Sequence, residues 1–225
     1  MAGKCGPDII ENGLVLALDA ANKNSYPGSG TSWKDLSGND NNGTLTNGPT
    51  FNAGNIGSIV FDGTNDFVQS TNNTSLQINQ GTVISWIKTS TNDTTYRAIV
   101  TKVYNYGFFL RNSFLVIWDW GNLVERSSGI NIATGNWINV AMTFSNNTGT
   151  PSNNVILYVN AKSVLTTTSK FQNDTYPLVL GTGDYQNATS QPFNGNIATT
   201  QVYNRALTAT EILQNYNATK SRFGY

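Results

Sequence analysis

Short apolar runs separated by clusters of Gly, Asn, Asp and Thr recur along this chain, and that rhythm constrains its fold more than any other feature. Regularly spaced runs of this length, with turn residues between them, describe short strands of a sandwich or jelly roll. The pattern predicts strands at Leu14–Ala20, Ser58–Phe61, Asp66–Gln69, Thr82–Lys88, Arg97–Val103 and Tyr106–Arg111. Further strands are predicted at Phe114–Asp119, Trp137–Phe144, Asn154–Asn160, Ser163–Thr168, Pro177–Leu180 and Ile197–Asn204. The breaks carry turn chemistry, as at Asn47-Gly48, Asp62-Gly63 and Asn194-Gly195.

One segment follows a different period. Thr208-Ala209-Thr210-Glu211 is a capping box, with Thr208 as N-cap and Glu211 placed to reach back to it. Ile212, Leu213 and Tyr216 then share a helical face, so Thr208–Asn217 is predicted to be a short helix closing the domain. The Asn/Gly/Thr-rich stretch Ser37–Asn55 is expected to form long loops around one short strand. No internal repeat or linker divides the 225 residues, and a chain of this size can bury roughly 70% of its unfolded surface around one core. The expected architecture is an all-β, two-sheet antiparallel jelly-roll sandwich with a short C-terminal helix. Residues 1–13 form an N-terminal arm and residues 14–225 the domain.

Several classes of function are disfavoured. Basic and acidic residues number 13 each, so no positive field or Lys/Arg cluster is available to engage phosphate backbones. Nucleic acid is not an expected partner. No apolar run approaches the ~20 residues of a membrane-spanning helix, so membrane insertion is not expected, and Met1 to Asp8 lacks the apolar centre of a secretory leader. Histidine is absent, which removes Ser-His-Asp and Cys-His catalysis and His-ligated zinc. The single thiol, Cys5, lies in the arm without a His partner. Glycoside hydrolysis needs two carboxyl groups flanking one bond. The chain has three Glu (Glu11, Glu125 and Glu211), none in a Glu-x-Asp-x-Glu arrangement. Asp119 and Glu125, on either side of Gly121-Asn122, are the one pair positioned to face each other across a hairpin. The chain is not expected to be an enzyme.

Aromatic residues carry a more positive signal. Tyr104 and Tyr106 are expected to alternate on one strand face, as are Trp118 and Trp120, with Asp119 between the latter two pointing the other way. Open Tyr and Trp rings can cover the apolar face of a sugar while Asp and Asn bond its hydroxyls. The alternative is that these rings fill the core of a large sandwich. The run Phe114-Leu115-Val116-Ile117-Trp118, apolar on both faces, fits a central strand or one lining a face beyond the core. Asp62, Asn65 and Asp66 bring three oxygen-bearing side chains together, a partial calcium shell if distant loops contribute. The competing reading is a tight turn in which they bond their own backbone. No cofactor is required, and calcium is left open.

Phe61-Asp62-Gly63-Thr64-Asn65-Asp66-Phe67-Val68 resembles the strand–turn–strand signature of laminin G-like jelly rolls of the concanavalin A-like lectin/glucanase superfamily. Pro192-Phe193-Asn194-Gly195-Asn196-Ile197, followed by Val202 to Thr208 and Glu211-Ile212, is similar to that family's closing motif. Val83 to Ile87, Trp137 to Ala141 and Leu157 to Asn160 fit its middle strands. The resemblance implies two curved sheets and, in many relatives, recognition of glycans or proteins, sometimes with calcium. Where the family usually carries an acidic residue after Gly-x-Ile, this chain has Ala198-Thr199-Thr200. The opening, Gly13 to Ala21 with Ser25 to Trp33, resembles modules in virion proteins of tailed phages. That resemblance implies a non-catalytic virion-surface subunit of decoration or fibre type. Its partners would be other virion proteins, a second copy of the chain or a cell-surface glycan. The alternative is a free extracellular carbohydrate-binding or adhesion module of a bacterial protein, and a third is a glycoside hydrolase of the same superfamily.

Overall fold

The computed structural model of the chain describes residues 8–54, 57–146, 153–171, 175–184 and 186–225. The first strands are β1 (Leu14–Asp19), β2 (Ser32–Trp33), β3 (Gly43–Thr46) and β4 (Thr50–Asn52). They are followed by β5 (Ser58–Asp62), β6 (Phe67–Ser70), β7 (Gly81–Lys88) and β8 (Arg97–Lys102). Next come β9 (Gly107–Arg111), β10 (Phe114–Asp119), β11 (Val124–Asn131) and β12 (Trp137–Asn146). The last are β13 (Asn153–Val159), β14 (Lys162–Ser169), β15 (Leu178–Leu180) and β16 (Asn194–Tyr203). Helix α1 (Ala209–Thr219) and a 3-10 turn, Lys220–Phe223, end the chain.

These strands form the two antiparallel sheets of a sandwich. The first runs β14-β13-β12-β7-β16-β5-β4, with β1 also paired to β16. The second runs β11-β10-β9-β8-β15-β6-β3-β2. Period-two alternation sends one set of side chains from each sheet into the shared core. In the first sheet, Ile138, Ile87 and Ile197 lie side by side across β12, β7 and β16. In the second, Val68, Leu180 and Val100 do the same across β6, β15 and β8. All six are buried in one cluster that also holds Trp33, Phe61, Tyr106, Phe108, Phe144 and Phe193.

The outer face of the first sheet is not left to water. Residues from α1 and the 3-10 turn cover Ile84, Trp86, Ala198 and Tyr203, with Ile212 and Phe223 making the contacts. The predicted capping box forms: the Thr208 hydroxyl accepts from the Glu211 N–H at 3.3 Å, and Glu211 accepts from the Thr208 N–H at 2.8 Å. Arg205 clamps the same carboxylate with bonds of 2.7 and 3.0 Å.

Residues 8–13 of the expected arm lie along this helix. The Ile10 N–H donates to Asn215 Oδ1, and Gln214 Nε2 donates to the Asp8 carbonyl, both at 2.8 Å. Cys5 lies outside the described residues.

Three features of the fold were not read from the sequence, the first being the two-residue strand β2, Ser32–Trp33. The stretch Ser37–Asn55, expected to hold one strand, holds both β3 and β4. Strand β11, Val-Glu-Arg-Ser-Ser-Gly-Ile-Asn, was not predicted at all. It is a largely exposed edge strand held by β10, so it needs no apolar face and shows no periodicity.

Candidate functional site

Strand β10 separates its side chains cleanly. Leu115 and Ile117 enter the core. Val116 joins Ala98 and Phe109 on the outer face of the second sheet, beneath Tyr96, Phe114, Trp118 and Trp120. A strand apolar on both sides therefore serves the core and an outer aromatic layer, as its sequence allowed. Trp118 and Trp120 are half-buried on that layer, their rings 6.5 Å apart and near perpendicular. Tyr96 meets Trp118 at 5.7 Å. At the other end Tyr104 meets Trp120 at 5.2 Å and Tyr176 at 5.8 Å. A cleft of ≈ 80 Å³ opens among Tyr96, Phe109, Trp118, Trp120 and Gln191.

An ion pair borders this layer. Arg111, on β9, donates to Glu125 on β11 at 2.9 Å and to the Tyr96 hydroxyl at 3.0 Å. Its guanidinium stacks 4.5 Å above the Tyr96 ring. Burial, reinforced by the Glu125 carboxylate, pushes the Tyr96 phenol up to about 12, so it remains a protonated hydrogen-bonding group at neutral pH.

The sequence-predicted residues divide. Tyr104, Trp118 and Trp120 come together on the outer face. Tyr106 does not: it is fully buried, stacks on Phe144 at 5.1 Å and donates to the Leu76 carbonyl at 2.9 Å. The expectation that Tyr104 and Tyr106 share a face is corrected, because they lie in the turn between β8 and β9. Tyr104 adopts a left-handed backbone, φ 62°, and the alternation of an extended strand does not extend across it.

Asp119 points away from the two Trp residues, as expected, and is fully buried. Its carboxylate accepts from the backbone N–H groups of Asn122 and Lys170, each at 3.1 Å, and from Asn122 Nδ2 at 2.9 Å. Arg126 completes the set at 3.4 Å. Asp119 thus pins the β10–β11 hairpin to the end of β14. Glu125 is registered opposite Trp118, while Asp119 is opposite Val124. Neighbouring positions on a strand face opposite ways, so Asp119 and Glu125 lie on opposite faces of the sheet and do not flank a common bond.

In the Asp62–Asp66 turn, the oxygens serve the backbone. Asp62 Oδ1 accepts from the Thr64 N–H at 2.7 Å, and Asp66 Oδ2 accepts from the Asp62 N–H at 3.0 Å. The Asn65 main-chain carbonyl, not its side chain, accepts from Asn47 Nδ2 at 3.0 Å. Burial raises the Asp66 carboxyl above its ordinary range. Gly63 takes φ 80°, and a Cβ there would come within 2.7 Å of Asn194, so the turn requires glycine. Among the described residues, no group of three or more His, Cys, Asp and Glu is placed to hold a metal.

Tyr96, Tyr176, Phe109, Arg111 and Gln191 were not anticipated. Phe109 and Arg111 are two apart on β9, where alternation places them on one side, while Tyr96, Tyr176 and Gln191 reach the layer from separate loops that no spacing in the sequence links. A more voluminous cleft, ≈ 680 Å³, lies elsewhere, lined in part by Tyr26, Phe51, Lys23 and Arg222. Two of its polar groups are engaged by the protein: Tyr26 donates to the Gly30 carbonyl, and Arg222 is held by Asp19.

The family described as the concanavalin A-like lectin/glucanases superfamily, in its laminin G-type form, matches residues 62–213. The chain belongs to this superfamily. No curated protein sequence matches it. Among solved structures, this lectin-fold chain is similar to the binding domain of Paraclostridial Mosquitocidal Protein 1, with TM-score 0.71 and 17% identity. That alignment covers 92% of this chain and 52% of the other, so the chain spans about half the length of that relative. It is also similar to domain 4 of AbnA, an extracellular arabinanase of Geobacillus stearothermophilus solved with arabinotriose (TM-score 0.66, 18% identity, 90% and 98% covered). A third likeness is to Trypanosoma rangeli sialidase in complex with 2,3-difluorosialic acid (TM-score 0.71, 12% identity, 100% and 36% covered). At these identities the shared property is the lectin fold.

Proposed function

We propose that this chain is a carbohydrate-binding module that holds a glycan against the aromatic layer of its second sheet and does not cleave it. One observation carries the reading: Trp118 and Trp120 are half-buried on the outer face, continued by Tyr104, which is 41% exposed. Exposed aromatic rings beside polar groups suit the two-sided chemistry of a sugar, with apolar C–H faces and hydroxyl edges. Gln191 and the Tyr96–Arg111–Glu125 cluster supply donors and acceptors at the border. The arabinanase domain solved with arabinotriose is covered almost end to end by this chain, which supports a binding role by analogy of fold.

The non-catalytic part of the reading is supported by the placement of Asp119 and Glu125 on opposite faces. The virion setting rests on the resemblance of Gly13 to Ala21 and Ser25 to Trp33 to tailed-phage modules. Within the fold, Leu16, Leu18, Tyr26 and Trp33 from those stretches belong to the core. They account for the jelly roll without defining an assembly surface.

A glycan array probed with the purified chain and with a Trp118→Ala/Trp120→Ala variant tests the proposal. Binding to carbohydrate that the variant loses while remaining folded is expected. Binding retained in the variant would move the site elsewhere, and release of reducing ends from a bound glycan would overturn the non-catalytic reading. Stoichiometric recovery of the chain in purified phage particles would establish the virion setting, and absence from them would remove it.

A further inference from the structure

We infer that the aromatic layer reads several consecutive sugar units of a linear, uncharged polysaccharide rather than a single terminal sugar. The inference rests on the reading of this face as a glycan site. Its rings form an unbroken series, Tyr96–Trp118–Trp120–Tyr104–Tyr176, with successive centroids 5.7, 6.5, 5.2 and 5.8 Å apart. The series cannot fold back on itself. Tyr96 immediately precedes β8 and Tyr104 follows its end, and six residues of strand separate those points by roughly 20 Å. A single sugar would touch one or two rings and leave the others unused.

The far end of the series is held in place at a cost. Tyr104 carries its ring on a left-handed backbone, φ 62°, a conformation that Gly or Asn adopts with less strain. Tyr176 is positioned through its carbonyl, which accepts from the ammonium of the fully buried Lys102. The first three pairs of neighbouring rings stand at 82°, 72° and 68° to one another. Such a series offers faces and edges in turn and follows a free, twisted chain better than a flat crystalline surface.

Charge selects the polymer type. The cation bordering the series is balanced within the protein: Arg111 pairs with Glu125 at 2.9 Å. An anionic chain would have to compete with the Glu125 carboxylate, whereas a neutral chain needs only stacking and the hydrogen bonds of groups such as Gln191.

Calorimetry with oligosaccharide ladders of one to six units, drawn from arabinan, xylan, β-glucan and mannan, tests this directly, with sialyl- and galacturonyl-oligosaccharides as charged comparators. Affinity is expected to rise at least tenfold between the monomer and the tetramer of the preferred neutral series. Tyr104→Asn removes the ring from a backbone that Asn tolerates, so the fold is retained; it should weaken the tetramer about tenfold and leave the monomer unchanged, and Trp120→Ala should act in the same direction. Equal affinity for monomer and hexamer, or a Tyr104→Asn variant with unaltered tetramer binding, would overturn the chain-reading inference while leaving the glycan site standing. Preference for the charged ladders would overturn neutrality. No binding to any ladder or to a broad glycan array would remove both this inference and the site it builds on.

Discussion

Trp86 and Phe223 lie face to face, their ring centroids 3.9 Å apart and their planes 10° from parallel. Trp86 projects from the outer side of β7, and Phe223 comes from the last turn of the chain, so this stack seals the C-terminal segment onto the first sheet. Tyr216 stacks on Trp86 at 5.6 Å, and the indole N–H donates to the Thr219 hydroxyl at 2.9 Å. Phe223→Ala removes the closest ring from a nearly dry site and is expected to cost about 3 kcal/mol, lowering Tm by roughly 6–12 °C. A red shift of tryptophan emission should accompany it as Trp86 becomes wetter.

The start of α1 gives a prediction in pH. Arg205, then the Thr208 N–H, hold the Glu211 carboxyl down to about 2. A carboxyl whose pKa is depressed on folding stabilises the fold above its unfolded pKa, and that contribution is lost as pH falls towards 2. Asp93, held low by Arg97, acts with the same sign, while Asp66, raised by burial, acts oppositely. The Glu211 contribution is therefore isolated by difference. Denaturation of the wild type should lose stability relative to Glu211→Gln between about pH 5 and 2. Thr208→Ala should cost about 1 kcal/mol at neutral pH.

Tyr106 and Tyr104 should respond in opposite ways. Tyr106→Phe leaves the buried Leu76 carbonyl without its donor and should cost about 1–2 kcal/mol, with no change in glycan affinity. Burial raises the Tyr106 phenol well above its ordinary value, so its ionisation should not be seen before the fold opens in alkali. Chemical denaturation paired with binding of a glycan found on the array separates the two tyrosines.

Millimolar calcium is expected to leave Tm unchanged. A ligand that binds only the folded state raises Tm by mass action, but Asp62 and Asp66 already accept from backbone N–H groups in their own turn. A clear calcium-dependent rise would require a site assembled from other oxygens.

Strand positions were legible wherever burial on at least one face imposed a pattern. Phe114–Asp119 was predicted and found at the same limits as β10, and the helix cap at Thr208 was read from four residues. Polar β11 was illegible because an exposed edge strand takes its shape from β10 rather than from its own side chains. Two of the five rings in the aromatic series were legible for the same reason. Trp118 and Trp120 are two residues apart, and an extended backbone places them on one side.

By itself, then, the amino-acid sequence determined the two-sheet sandwich, its closing helix and the pairing of two Trp side chains, since period and local capping act over only a few residues. Tertiary structure alone decided that Tyr106 turns inward and Tyr104 outward, because a left-handed residue in the β8–β9 turn breaks the alternation. It also brought Tyr96, Tyr176 and Gln191 to the same face and put Asp119 and Glu125 on opposite ones. Those relations depend on register between strands and on loops folded over a sheet, which contacts between residues distant in the chain determine.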